Sequence, residues 1–60
     1  MIEQKLFNQL WEVASATCGN AYLMQSGAIL TNRQYKALSF AEKLEMVLYY
    51  RYKDNAVVRI

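Results

Sequence analysis

Cys18 is the single thiol in a chain of 60 residues that contains no histidine. A thiolate nucleophile needs a base beside it, and without imidazole only a distant carboxylate or a lysine could serve. The expected role of Cys18 is therefore a small buried or half-buried thiol at a helix end, because free cysteine usually packs as a small hydrophobe. One cysteine makes no internal disulfide, and a zinc site needs three or four ligands from a set that this chain hardly contains. Glu42 and Glu45 are three apart and could share a helix face as half of a carboxylate metal site, but no Glu-x-x-His accompanies them. They are expected instead to support a helix start and to pair with lysines. Gly19 and Gly27 stand alone, so no glycine-rich phosphate loop exists. No catalytic, metal or cofactor residues are expected, and no enzymatic activity.

The residues that remain for chemistry are those of contact. Tyr49-Tyr50-Arg51-Tyr52-Lys53, preceded by Met46, crowds aromatic groups into one short stretch. On a helical projection Met46, Tyr49 and Tyr50 fall more than ~100° from Leu44, so a monomer would expose them. Tyrosine, methionine and arginine are enriched in protein interfaces. Met46, Tyr49, Tyr50, Tyr52 and Lys53 are accordingly the expected partner-binding set. Two other readings fit the same residues. The first helix and the middle segment could wrap both faces and make the tyrosines core. Alternatively, tyrosines could stack on bases while Arg33, Lys36, Lys43, Arg51, Lys53 and Arg59 meet phosphates, although acidic residues interleave with these cations. Trp11 reads as a core edge.

The elements that must position these residues read as mostly helical. Ile2, Leu6, Leu10, Val13 and Thr17 recur at steps of three and four, with Phe7 and Ala14 widening the stripe, which predicts a helix over 2–17. Gly19 and Asn20 supply residue types that end a helix in a left-handed conformation. Residues 21–30 fit a short hairpin around Gln25-Ser26-Gly27, or an irregular or helical segment. Thr31-Asn32-Arg33-Gln34 and Ser39-Phe40-Ala41-Glu42 both match the capping box. They predict helices over 32–38 and 40–53, or one helix running through both, with Phe40, Ala41, Leu44, Val47 and Leu48 as its core face. Asp54-Asn55 reads as a turn. Ala56 to Ile60 reads as an extended tail that packs on the helices or pairs with a strand of another chain. The run from Ala37 to Tyr52 resembles the first helix of a sigma-factor-type helix-turn-helix. Such domains follow that helix with a turn and a recognition helix, and the sequence ends at Ile60 about where one would begin, so no function is carried over.

The expected fold class is mainly α, a single small domain over 1–60 with two to three helices. A domain this short buries only roughly 60% of its unfolded surface, and a lone core below about 70–80 residues seldom gives more than ~3–5 kcal/mol. With 55% hydrophobic residues and neither disulfide nor metal to help, a homodimer or an obligate complex is expected. Seven Lys and Arg against five Asp and Glu leave a net charge of +2, too little to imply nucleic acid. No apolar run reaches membrane-spanning length and the N-terminus lacks a signal-peptide pattern, so a cytoplasmic location and no membrane association are expected. The expected function is that of a small interaction protein, an inhibitor, antagonist or adaptor that covers a site on a larger protein. Chains with these traits are often encoded by phages or other mobile elements.

Overall fold

A computed structural model describes residues 3–59, and the architecture is α+β rather than mainly α. One long helix, α1 (Gln4–Thr17), precedes strands β1 (Asn20–Met24) and β2 (Ile29–Thr31), short helices α2 (Asn32–Lys36) and α3 (Phe40–Lys43), and strands β3 (Met46–Arg51) and β4 (Ala56–Arg59). The four strands form one antiparallel sheet in the order β2-β1-β3-β4.

The spacing of apolar residues places α1 as expected. Leu10 and Ala14 are fully buried, and Leu6, Phe7 and Val13 pack around them against the sheet. Ile2, expected to begin the stripe, and Ile60, expected to end the tail, lie outside the described residues. The helix ends in a left-handed residue, but that residue is Cys18 (φ 52°) rather than Gly19 or Asn20. The Cys18 N–H donates to Ser15 C=O at 3.3 Å and the Gly19 N–H to Ala14 C=O at 3.0 Å. This is the paired closure that a left-handed residue makes possible. The backbone then turns directly into β1.

Residues 21–30 adopt the hairpin. The Met24 N–H donates to Ala28 C=O and the Gly27 N–H to Met24 C=O, both at 2.9 Å, and Gly27 takes φ 95°, which a side chain would strain. Both capping boxes form. Thr31 and Gln34 cap α2 reciprocally, as do Ser39 and Glu42 for α3. Neither helix reaches 38 or 53, however. The predicted helix over 40–53 stops at Lys43, and Met46–Arg51 is a strand. The physical reason is burial on two sides. As a strand, the segment points Leu48 and Tyr50 under α1 and Tyr49 against Tyr22 on the opposite face, so the large side chains that a helix would leave uncovered are packed. Phe40 and Leu44, expected in the core, are instead 79% and 71% exposed.

The core face of the sheet presents Ala21, Leu23, Leu48 and Tyr50 to α1, with Ile29 and Val57 at its margins. The extended tail becomes β4, pairing Val57 with Tyr50 and Val58 with Tyr49. Its turn passes through Asn55 (φ 54°), whose Oδ1 accepts from the Tyr50 hydroxyl. Among the described residues no helix is long and apolar enough to cross a membrane.

A non-glycine residue in the left-handed region carries a steric cost of roughly 1–2 kcal/mol, part of which glycine returns as unfolded-state entropy. Cys18→Gly is expected to raise the unfolding free energy by about 0.5–1 kcal/mol, seen as a higher urea midpoint with an unchanged slope. A lower midpoint would show that the thiol packs in a way the αL account omits.

Candidate functional site

The tyrosines singled out for contact are for the most part engaged in packing. On the face of the sheet opposite α1, Tyr22 lies at the centre, opposite Leu30 on one neighbour and Tyr49 on the other. Tyr35, carried by α2, stacks on Tyr22 with ring centroids 4.0 Å apart and planes 6° from parallel. Tyr49 also stacks with Tyr22, at 5.5 Å and 29°. The Tyr22 hydroxyl accepts from Asn20 Nδ2 at 3.2 Å and donates to Asn32 Oδ1 at 2.8 Å, which ties the start of α2 to the sheet. The Tyr35 hydroxyl donates to the Lys43 carbonyl at 3.3 Å, holding the end of α3, and the Lys43 ammonium sits 5.9 Å from the Tyr35 ring centre.

Of the five expected partner-binding residues, Tyr50 is fully buried and makes an edge-to-face contact with Phe7 at 5.5 Å, so it has no surface to offer. Met46 and Tyr49 are half-buried, while Tyr52 and Lys53 are exposed in the β3–β4 turn. The set does not form one surface, because strand alternation sends Tyr49 and Tyr50 to opposite faces. Arg51 is paired with Asp54 at 3.1 Å in the same turn.

The exposed apolar surface lies elsewhere. Phe40 and Leu44 are one turn apart at α3, with Val47 three residues further on and also exposed. Periodicity had assigned all three to a core. The cue that could redirect them is the Tyr49-Tyr50 pair, which packs on both sides only as a strand and so ends α3 at Lys43. Trp11, expected at the edge of the core, is instead 45% exposed on α1.

A cavity of about 490 Å³ opens between the end of α1 and the start of α2, lined by Thr17, Cys18, Gly19, Thr31, Asn32, Arg33 and Lys36. Cys18 is exposed there rather than buried. The lining holds two cations and one thiol but no carboxylate, and its hydroxyls are engaged, Thr17 with the Val13 and Ala14 carbonyls and Thr31 with the Gln34 N–H. Among the described residues no group of three or more His, Cys, Asp or Glu side chains could hold a metal.

No family model, curated protein or solved structure matches this chain.

Glu42 is committed to structure. Its carboxylate accepts the Ser39 N–H at 3.0 Å, and its own N–H donates to the Ser39 hydroxyl at 3.2 Å. Hydrogen bonding to the Ser39 backbone first, and to its side chain second, holds the Glu42 carboxyl below its ordinary value of 4.5. A depressed folded-state value stabilises the fold above pH 4.5 and loses that contribution as pH falls through the folded value. Wild type is therefore expected to lose thermal stability below pH 4.5 more steeply than Glu42→Gln, which keeps a reciprocal cap of the kind Gln34 provides but does not titrate. Parallel acid limbs in thermal melts across this range would remove the cap from the account.

Proposed function

We propose that this chain is a small protein-binding module that covers a site on a larger protein, as an inhibitor, antagonist or adaptor, and that the contact is centred on Phe40 and Leu44. The observation that carries this reading is the exposure of these two residues, 79% and 71%, at the first position and the C-cap of a one-turn helix. Fully burying one such side chain is worth roughly 1.5–3 kcal/mol. Single exposed apolar residues are ordinary, but a phenylalanine and a leucine on one helix face, followed by exposed Val47, make a patch of the kind that interfaces use. Exposed Glu45, next to Leu44 in the chain, adds a charged group of the kind found at the rim of protein contacts.

Nucleic acid is the less favoured partner on the same grounds. Of the tyrosines expected to stack on bases, Tyr22 and Tyr50 are buried and Tyr35 and Tyr49 stack on Tyr22, which leaves Tyr52 alone exposed, apart from Phe40 and Trp11. Arg51 is engaged with Asp54, and Lys43 sits over Tyr35. A cytoplasmic setting accompanies the protein-binding reading, since an exposed unpaired thiol such as Cys18 stays free under reducing conditions.

The test is paired affinity capture from nuclease-treated lysate with wild type and the double variant Phe40→Glu, Leu44→Glu. Both side chains are largely in solvent, so the circular dichroism spectrum and melting temperature are expected to hold within a few degrees. A stoichiometric protein captured by wild type should be lost from the variant by at least tenfold. Capture that the variant retains, or that nuclease abolishes, would contradict the proposal.

A further inference from the structure

The sheet has two edges, and they differ. β2 is three residues long and runs straight into the Thr31 cap of α2, so little of its outer edge is available. β4 is four residues long, has no proline, and follows β3 without a break in register. Natural edge strands are usually shortened, bulged, covered or charged to prevent pairing. The long helix does not supply the cover, since α1 lies over β1, β2 and β3.

The direction of the free backbone groups can be worked out from one bond. The Tyr52 N–H donates to Gly19 C=O across the β1–β3 boundary at 3.3 Å. Backbone groups of successive strand residues point alternately to the two neighbours. Tyr50 and Leu48 therefore address β1, and Arg51 and Tyr49 address β4, where their partners are Ala56 and Val58. The Met24 N–H, which donates to Ala28 C=O on the β2 side, gives the same phase for β1. It follows that the N–H and C=O groups of Val57 and Arg59 point away from the sheet, on an edge that no other strand among the described residues pairs.

We propose that this edge pairs with the same edge of a second copy, joining two four-stranded sheets into one antiparallel sheet of eight. A foreign strand could meet the same groups, but the sequence of β4 favours its own copy. A two-fold axis through Val58 pairs Val57 of each copy with Arg59 of the other, so the outward groups of both residues are used in four interchain hydrogen bonds. The same axis sets Val58 directly against Val58 of the partner, at the close spacing of a non-hydrogen-bonded pair. Val58 already lies beside Tyr49, which lies beside Tyr22 and then Leu30. The row Leu30, Tyr22, Tyr49, Val58 would continue through its own mirror order in the partner, eight positions long and uncharged throughout. The axis stands perpendicular to the sheet, so both α1 helices fall on one side and both tyrosine stacks on the other.

A chain of 60 residues is accessible to chemical synthesis, which permits a variant that touches one backbone atom. N-methylation of Val57 removes its outward N–H and leaves the β3–β4 ladder and the side chain in place. Val58→Lys sets like charges across the axis. Sedimentation equilibrium on the full chain is expected to give twice the mass of one chain for wild type. The dissociation constant should rise roughly a hundredfold for N-methyl-Val57, because two interchain bonds are lost at about tenfold each, and at least about tenfold for Val58→Lys, with the circular dichroism of both unchanged. If Val58→Lys fails to fold, the N-methyl chain decides alone. Wild type at the mass of one chain up to millimolar concentration, or a dimer indifferent to the methyl group, overturns the proposal. The double variant at Phe40 and Leu44 should leave the dimer intact, so this test and that of the proposed function fail separately.

Discussion

The structure depends on the burial of Tyr50 between α1 and the middle of β3. Its ring is fully covered, meets Phe7 edge to face, and lies in the same cluster as Leu10, Ala14, Leu23 and Leu48. Ala14 on the helix and Ala21 on the neighbouring strand are the small residues that let helix and sheet approach closely enough to enclose so large a group. Its hydroxyl is satisfied by Asn55, in the turn that starts β4, so a buried phenol is not left unpaired. One side chain thus links the first helix, the central strands and the last turn.

The opposite face follows from the same strand. With Leu48 and Tyr50 turned toward α1, Tyr49 must face the other way, and there it meets Tyr22. Tyr35 completes the stack from α2. Helices of five and four residues have almost no intrinsic stability, so α2 and α3 are held by their capping boxes and by the hydroxyls of Tyr22 and Tyr35. The tether at Lys43 fixes the end of α3 without burying its apolar side, and Phe40 and Leu44 are left outside.

Much of this was legible from residue types. The stripe of α1, both capping boxes, the turn at Asp54-Asn55 and the extended tail all have local signatures, and the hairpin at Gly27 was one of two readings. β3 was hidden because Phe40, Ala41, Leu44, Val47 and Leu48 satisfy a helical period. A strand with apolar and aromatic side chains on both faces also shows little polar alternation to compete with it. Leu48 belongs to both patterns. The signal that should have weighed more was the remainder: a helix left Met46, Tyr49 and Tyr50 without cover, whereas aromatic residues in succession favour a pleated, half-buried surface. The helical period thus puts Tyr50 on the surface and Phe40 and Leu44 in the core, the reverse of their burial.

The central claim is that residues 46–51 form a strand that spends the tyrosines on packing and leaves the α3 face free. Proton NMR tests it most directly. Tyr22 and Tyr49 are opposed across β1 and β3, as are Asn20 and Arg51, and by the alternation above both are non-hydrogen-bonded pairs, whose α-protons approach closely. The account predicts strong α-proton to α-proton cross-peaks for both pairs. An unbroken ladder of sequential amide and i,i+3 cross-peaks from Phe40 through Arg51, with neither cross-strand peak, would contradict it.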